Sequence, residues 1–268
     1  MLRVKSPVTS AALLTMLTLL LSACNTTPVD HTVGMSPSKL YAEAKDEMST
    51  GKWEKAVPLL EKLEARAAGT PLAQQAQLDK AYAHYKSTEP AQALAALDRF
   101  MRLHPASPAM DYALYLKGII TFNDDLGLLS SLTRQDLAER DQKASKESFE
   151  SFKELVARFP DSKYAPDARY RMNYIVNSLA QYEVHVAKYY FKRGAYLAAI
   201  NRAQLTVADY RDVPAVEESL FIIYKSYEAL GMDQLRDDAK RVLEKNYPQS
   251  EFLTKGAKSN QDPWWKVW

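Results

Sequence analysis

The stretch AKYYFKRGAYLAA, residues 187–199, decides the fold of this 268-residue chain. Ala187, Tyr190, Gly194, Tyr196 and Ala199 set small and aromatic residues around one glycine. A glycine there suits a tight turn between two helices, since it enters left-handed backbone without a Cβ penalty. The alanines let the two helices approach closely, and the aromatics fill the gap to neighbouring units. Helix, turn and helix is therefore the unit to seek along the rest of the chain.

The unit recurs. TGKWEKA (50–56) and LGMDQLR (230–236) open on glycine in the same way, and RLHPAS (102–107), RFPDS (158–162) and NYPQS (246–250) each close an amphipathic segment. In these an aromatic or histidine is followed by proline, any residue and serine. Proline stops a helix and serine is suited to cap the next. Gly231 stands seventeen residues before Pro248; the same count from Gly194 reaches Arg211, in the degenerate terminator DYRDV, and back from Pro105 it reaches Thr88. Between these marks Ala, Leu, Glu, Lys and Arg dominate, and the few glycines sit between periodic segments. Gly51, Trp53, Ala56 and Leu60, like the five residues above, resemble the second-helix pattern of a tetratricopeptide repeat (TPR). An internal repeat of this kind predicts an all-α protein, a right-handed α-solenoid of about five TPR-like helix pairs, at roughly 37–69, 71–105, 107–160, 163–211 and 213–248. Pro105 and Pro160 are 55 residues apart, so the third unit carries an insertion, NDDLGLLSSLTRQDLAERD (123–141). It divides the solenoid (37–250) into N-terminal repeats at 37–122 and C-terminal repeats at 142–250. The fourth unit implies a stretched first helix over 163–193, and the last is an atypical cap. Stacking buries the apolar face that each unit exposes, and the first helices line a concave surface able to bind peptides and proteins.

The chain starts with a different signal. Arg3 and Lys5, the apolar run 11–21 and the small residues Ser22 and Ala23 make a secretory signal peptide, residues 1–23, too short to span a membrane. Leu21-Ser22-Ala23-Cys24 resembles the bacterial lipobox, in which the cysteine thiol carries a lipid and becomes the new N-terminus. Cys24, the single cysteine, is thus the expected N-palmitoyl and S-diacylglyceryl site. Asn25 rather than aspartate follows it, which implies passage to the outer membrane, with the domain facing the periplasm. Loss of Arg3 and Lys5 takes the formal net charge from +2 to zero, so the basic balance is no argument for nucleic-acid binding. No disulfide is possible, and about 230 folded residues must rely on packing. Residues 24–36 read as a lipid-anchored flexible tether. Residues 251–268, with Trp264, Trp265 and Trp268, read as a flexible Trp-rich tail without helical period.

Catalytic chemistry is not legible. His31, His84, His104 and His185 have no ligand at zinc spacing, HExxH, CxxC and GxSxG do not occur, and NDDLG (123–127) lacks the distal glutamate of a calcium loop. No enzyme activity, catalytic residue, metal or cofactor is expected. The informative residues lie on surfaces. In the TPR framework the groove is lined from first helices at i, i+4, i+7: Tyr41, Lys45 and Met48 in unit one, Leu78, Tyr82 and Tyr85 in unit two. Tyr41, Lys45, Tyr82 and Tyr85 are the candidate peptide-binding groove, with packing between repeats as the competing reading.

YEVHVAKYYFKRGAYLAAINRAQ (182–204), YLKGI (115–119) and VLEKNYPQS (242–250), together with the lipobox, resemble the BamD (ComL) family of outer-membrane protein assembly factors. That resemblance implies docking of the C-terminal repeats on a POTRA domain of a BamA-like barrel protein, support of accessory lipoproteins such as BamC and BamE, and receipt of unfolded β-barrel precursors by the N-terminal repeats. The C-terminal strand of such precursors alternates aromatic and polar residues, which an aromatic groove with a nearby cation complements. For the BamA contact, Arg202 and then Arg193 are the candidates, since a planar guanidinium pairs a carboxylate in bidentate fashion. For Arg202 an intramolecular salt bridge is the alternative. Competing functions are a TPR pilotin for a secretin, which lacks the long insertion, a lipid-anchored scaffold for cell-wall synthesis, and a periplasmic hydrolase, for which no second domain remains.

Overall fold

The computed structural model describes residues 30–122, 142–210 and 212–254. Cys24, the insertion 123–141, Arg211 and the three tail tryptophans lie outside them. Among the described residues there are eleven helices and no strand, as the all-α expectation requires. They are α1 (Pro37–Ser49), α2 (Trp53–Arg66), α3 (Pro71–Lys86), α4 (Pro90–Leu103), α5 (Met110–Phe122), α6 (Gln142–Arg158), α7 (Ala165–Lys192), α8 (Tyr196–Asp209), α9 (Ala215–Ala229), α10 (Asp233–Asn246) and the single turn α11 (Glu251–Thr254). The first ten make five pairs, α1–α2 to α9–α10, and each helix packs on its neighbours in sequence.

Local chemistry sets the boundaries. Ser36 and Thr70 accept hydrogen bonds from the Lys39 and Ala73 amides, each with proline at the first helical position. Four turns within pairs close identically: Gly51, Thr88, Gly194 and Gly231 have φ of 76°, 60°, 74° and 67°. The amides that follow them, of Lys52, Glu89, Ala195 and Met232, bond back to the carbonyls of Glu47, His84, Tyr190 and Tyr227. The joints between pairs also repeat. His104, Phe159 and Tyr247 end their helices, and Ser107, Ser162 and Ser250 donate their amides to those three carbonyls. The serine hydroxyls accept amides at the start of the next helix, of Ala109 at 3.4 Å and Tyr164 at 3.2 Å. They also donate backwards, Ser107 to Gln74 of α3 at 3.1 Å and Ser162 to Asp111 of α5 at 2.6 Å, tying each joint to the preceding first helix.

Two boundaries of the sequence reading shift. The stretch expected as a tether to residue 36 is already fastened by residue 30: Asp30 takes Lys62 of α2 at 2.7 Å, and Arg66 donates to the carbonyls of Thr32 and Met35. Of the stretch expected as a tail, Glu251–Thr254 is helical and Phe252 stacks on Phe221 of α9 at 5.1 Å.

Three main cores run along the chain. Leu40, Leu60 and Ala76 belong to the first, Phe100, Phe152 and Ile175 to the second, and Val184, Ala199 and Ile222 to the third. Helix α7, 28 residues and about 42 Å long, joins the last two: Ala165 to Leu179 enter the second core, and Ala180, Val184 and Ala187 the third. Among the first ten helices, the seam between α4 and α5 is the thinnest of those joining neighbours in sequence, and beside it opens a cleft of about 900 Å³ with Leu94, Met101 and Leu114 in its wall.

Candidate functional site

Two regions hold the residues singled out by sequence. In the first, α1 places Tyr41 and Lys45 one turn apart, facing α3. There they meet Asp79, whose Oδ2 accepts from the Tyr41 hydroxyl at 3.0 Å and lies 3.5 Å from Lys45 Nζ, while its Oδ1 accepts from Gln75 at 3.0 Å. Asp79 is 7% exposed. Burial and then the Asp79 charge push the Tyr41 hydroxyl up to about 12. Tyr41 and Lys45 therefore fasten pair one to pair two, and the Lys45 ammonium, still half exposed, is shared with that carboxylate.

Next along α3, Tyr82 meets Trp53 edge-on at 5.7 Å and lies 6.4 Å from Tyr85, and Lys86 Nζ stands 6.0 Å from the Trp53 ring centre. Tyr82 touches both the first and second cores, so packing between repeats is realised for it. Two neighbours in the expected trios are not groove lining at all: Met48 and Leu78 are buried core residues.

The aromatic row continues where sequence reasoning had not looked. Tyr112 and Tyr115 on α5 meet Tyr164, at 5.6 Å and in a 4.6 Å stack. The Tyr115 hydroxyl donates to Asp167 Oδ2 at 2.8 Å, an oxygen that also takes Arg171 Nε at 2.7 Å. Burial, and next the charge of Asp79, raises the Tyr112 hydroxyl above the ordinary tyrosine range, which links the two groups of rings. A carboxylate in an otherwise apolar register, as Asp79 is between Ala76 and Ala83, was the available signal.

The second region is the α7–α8 turn and the helix after it. Arg193 caps α7, is exposed, and lies with its guanidinium 5.3 Å from the Tyr189 ring centre. Arg202, on α8, donates from Nη1 to Glu183 Oε2 of α7 at 3.1 Å; the arginine side chain is 40% exposed and the glutamate 11%. The intramolecular salt bridge is thus present, and it leaves the arginine side chain part exposed on the helix that also carries the exposed Leu205. Structure does not bring Arg193 and Arg202 into contact with each other. Among the described residues, no group of three or more His, Cys, Asp or Glu is placed to hold a metal, and no helix is long and apolar enough to cross a membrane.

Comparison with known proteins adds the family. Residues 34–243 match the family YfiO, described as an outer membrane lipoprotein. The outer membrane protein assembly factor BamD of Neisseria meningitidis serogroup A is 50% identical over 255 residues, 93% of this chain and 96% of that protein. BamD of Vibrio cholerae is 37% identical over 227 residues, 85% of this chain and 94% of that protein. Among solved structures, the MamA protein aligns over 85% of this chain and 98% of its own at 15% identity, with a TM-score of 0.37, too loose a likeness to bear on function. The chain belongs to the BamD (YfiO) family of outer membrane lipoproteins, the outer membrane protein assembly factors.

Proposed function

We propose that this chain is a non-enzymatic adaptor of the β-barrel assembly machinery, anchored in the outer membrane through lipid on Cys24 and facing the periplasm. Its C-terminal pairs dock on the POTRA region of a BamA-like barrel protein through Arg202 and Arg193. Its N-terminal pairs receive the aromatic C-terminal strand of unfolded barrel precursors at Tyr82 and Tyr85, with Lys45 as the cation at the edge and Tyr41 behind it. Accessory lipoproteins such as BamC and BamE are held by the same scaffold. The observation that carries the docking assignment is the Arg202 side chain, 40% exposed while its counter-ion Glu183 is only 11% exposed.

Affinity purification of the tagged full-length lipoprotein from solubilised outer membranes, with partners identified by mass spectrometry, tests this reading. A POTRA-bearing barrel protein recovered with the wild type and lost with Arg202→Glu supports it. A secretin instead, or cell-wall synthases without such a barrel protein, would assign the fold to another machine.

A further inference from the structure

Glu183 is an ionisable side chain in an apolar register. Ile175, Leu179 and Ala187 precede and follow it at four-residue intervals on α7, all buried, and Glu183 itself is 8% exposed. Its Oε2 receives Arg202 Nη1 from α8, 19 residues on, at 3.1 Å. The hydroxyl of Tyr210, raised by burial and next by the charge of Glu183, lies in the same surroundings. A carboxylate buried this far needs its cation, since removing one partner strands the other's charge. The arginine reaches outward from that contact with its side chain still 40% exposed.

We propose that Glu183 is a positioning residue for partner docking. It holds one nitrogen of the planar Arg202 guanidinium, which fixes the plane and aims the remaining N–H groups at the surface of α8, where a carboxylate of the docking domain takes them. The proposal rests on the reading of Arg202 as a docking residue. A guanidinium carries five donors in a rigid fork, so one arginine can serve an internal and an external carboxylate at once. The side chain is ordered before the partner arrives, and less of its rotamer freedom is lost on binding. The partner adds a second acceptor and does not displace the first, because displacement would leave Glu183 buried and unpaired. Lysine cannot substitute: a single ammonium engaged by Glu183 presents no fixed second edge.

The test is a double-mutant cycle on the full-length lipoprotein in detergent, titrated by biolayer interferometry against the full-length POTRA-bearing barrel protein of the same bacterium. Wild type, Glu183→Gln, Arg202→Gln and the double variant are compared, after thermal melts establish that each is folded. Each single variant is expected to bind about tenfold more weakly, as for loss of one charge-assisted hydrogen bond, and the double variant no more weakly than Arg202→Gln alone. Glu183→Leu, which fills the apolar site without a polar group, gives the same cycle should the glutamine disturb packing. Equal weakening by Glu183→Gln with and without Arg202 would reduce Glu183 to general stability and overturn the proposal. Wild-type affinity for Glu183→Gln beside weak binding by Arg202→Gln would overturn the positioning role alone. Wild-type affinity for Arg202→Gln would remove the docking reading and this proposal with it.

Discussion

Thr88 occupies, with φ of 60°, the turn position that glycine holds in three other pairs. A β-branched side chain in left-handed backbone is strained by about 1–2 kcal/mol, yet the turn's hydrogen bonds are the same as those at Gly194. Thr88→Gly should therefore stabilise the protein by about 1 kcal/mol, read as a higher urea midpoint at unchanged slope. At the same scale, Asp79→Ala should destabilise by about 1–3 kcal/mol, because the part-buried Tyr41 hydroxyl and the Gln75 amide lose their acceptor. Thr88 could be found by counting seventeen residues back from Pro105. The Tyr41–Asp79 bond could not, since its ends are 38 residues apart and lie on helices whose mutual rotation no local pattern sets.

Among elements, the contact of α5 with α6 depends on an atom that is missing. A Cβ on Gly118 would come within 2.4 Å of the Phe152 ring, itself fully buried. Gly118→Ala should cost about 1–3 kcal/mol by overpacking, and Phe152→Leu should recover part of that loss; thermal melts of the three variants decide. Glycines were expected between periodic segments, and Gly118 lies within a helix because its partner approaches from beyond the insertion. Elements were otherwise legible where a short motif carries the whole cause: a proline at a first turn, a glycine in a left-handed turn, an aromatic-proline-serine joint. The serines were legible only in part, as caps of the next helix. Their hydroxyls reach a helix 33 and 51 residues earlier, and nothing in HPAS or FPDS says so.

Over the whole molecule, α7 couples the second core to the third, so damage in the middle of that helix should not stay local. Leu179→Ala should lower stability by about 2–4 kcal/mol and shift the melting of both halves together, followed by hydrogen exchange in α5 and α9. Titration adds a pH window. The folded state raises the Tyr41 hydroxyl from 10 to about 12, so its contribution is complete below pH 10 and is lost as pH rises through 12. Denaturant midpoints should fall over that range, and less steeply in Tyr41→Phe. On the acid side, burial alone would raise the Glu64 carboxyl, but Lys80, Gln77 and Arg99 together hold it below its ordinary value, so that stability is present at neutral pH and lost as pH falls below the ordinary carboxylate range.

The sequence pattern carried the five-pair architecture and the family, because both rest on repeated local chemistry. It carried the candidate sites less far: Lys45 and Arg202 turn out to be half committed to Asp79 and Glu183, partners that only the folded chain brings near. In the proposed function, precursor receipt and docking are separate tasks at opposite ends of one scaffold. The direct measurement titrates wild type, Tyr85→Ala and Arg202→Glu, each as the full-length lipoprotein, with a labelled C-terminal strand peptide of a barrel precursor and, separately, with the POTRA-bearing barrel protein. Tyr85→Ala should weaken binding of the peptide only, and Arg202→Glu binding of the barrel protein only. A variant that weakens both equally while remaining folded would contradict that separation.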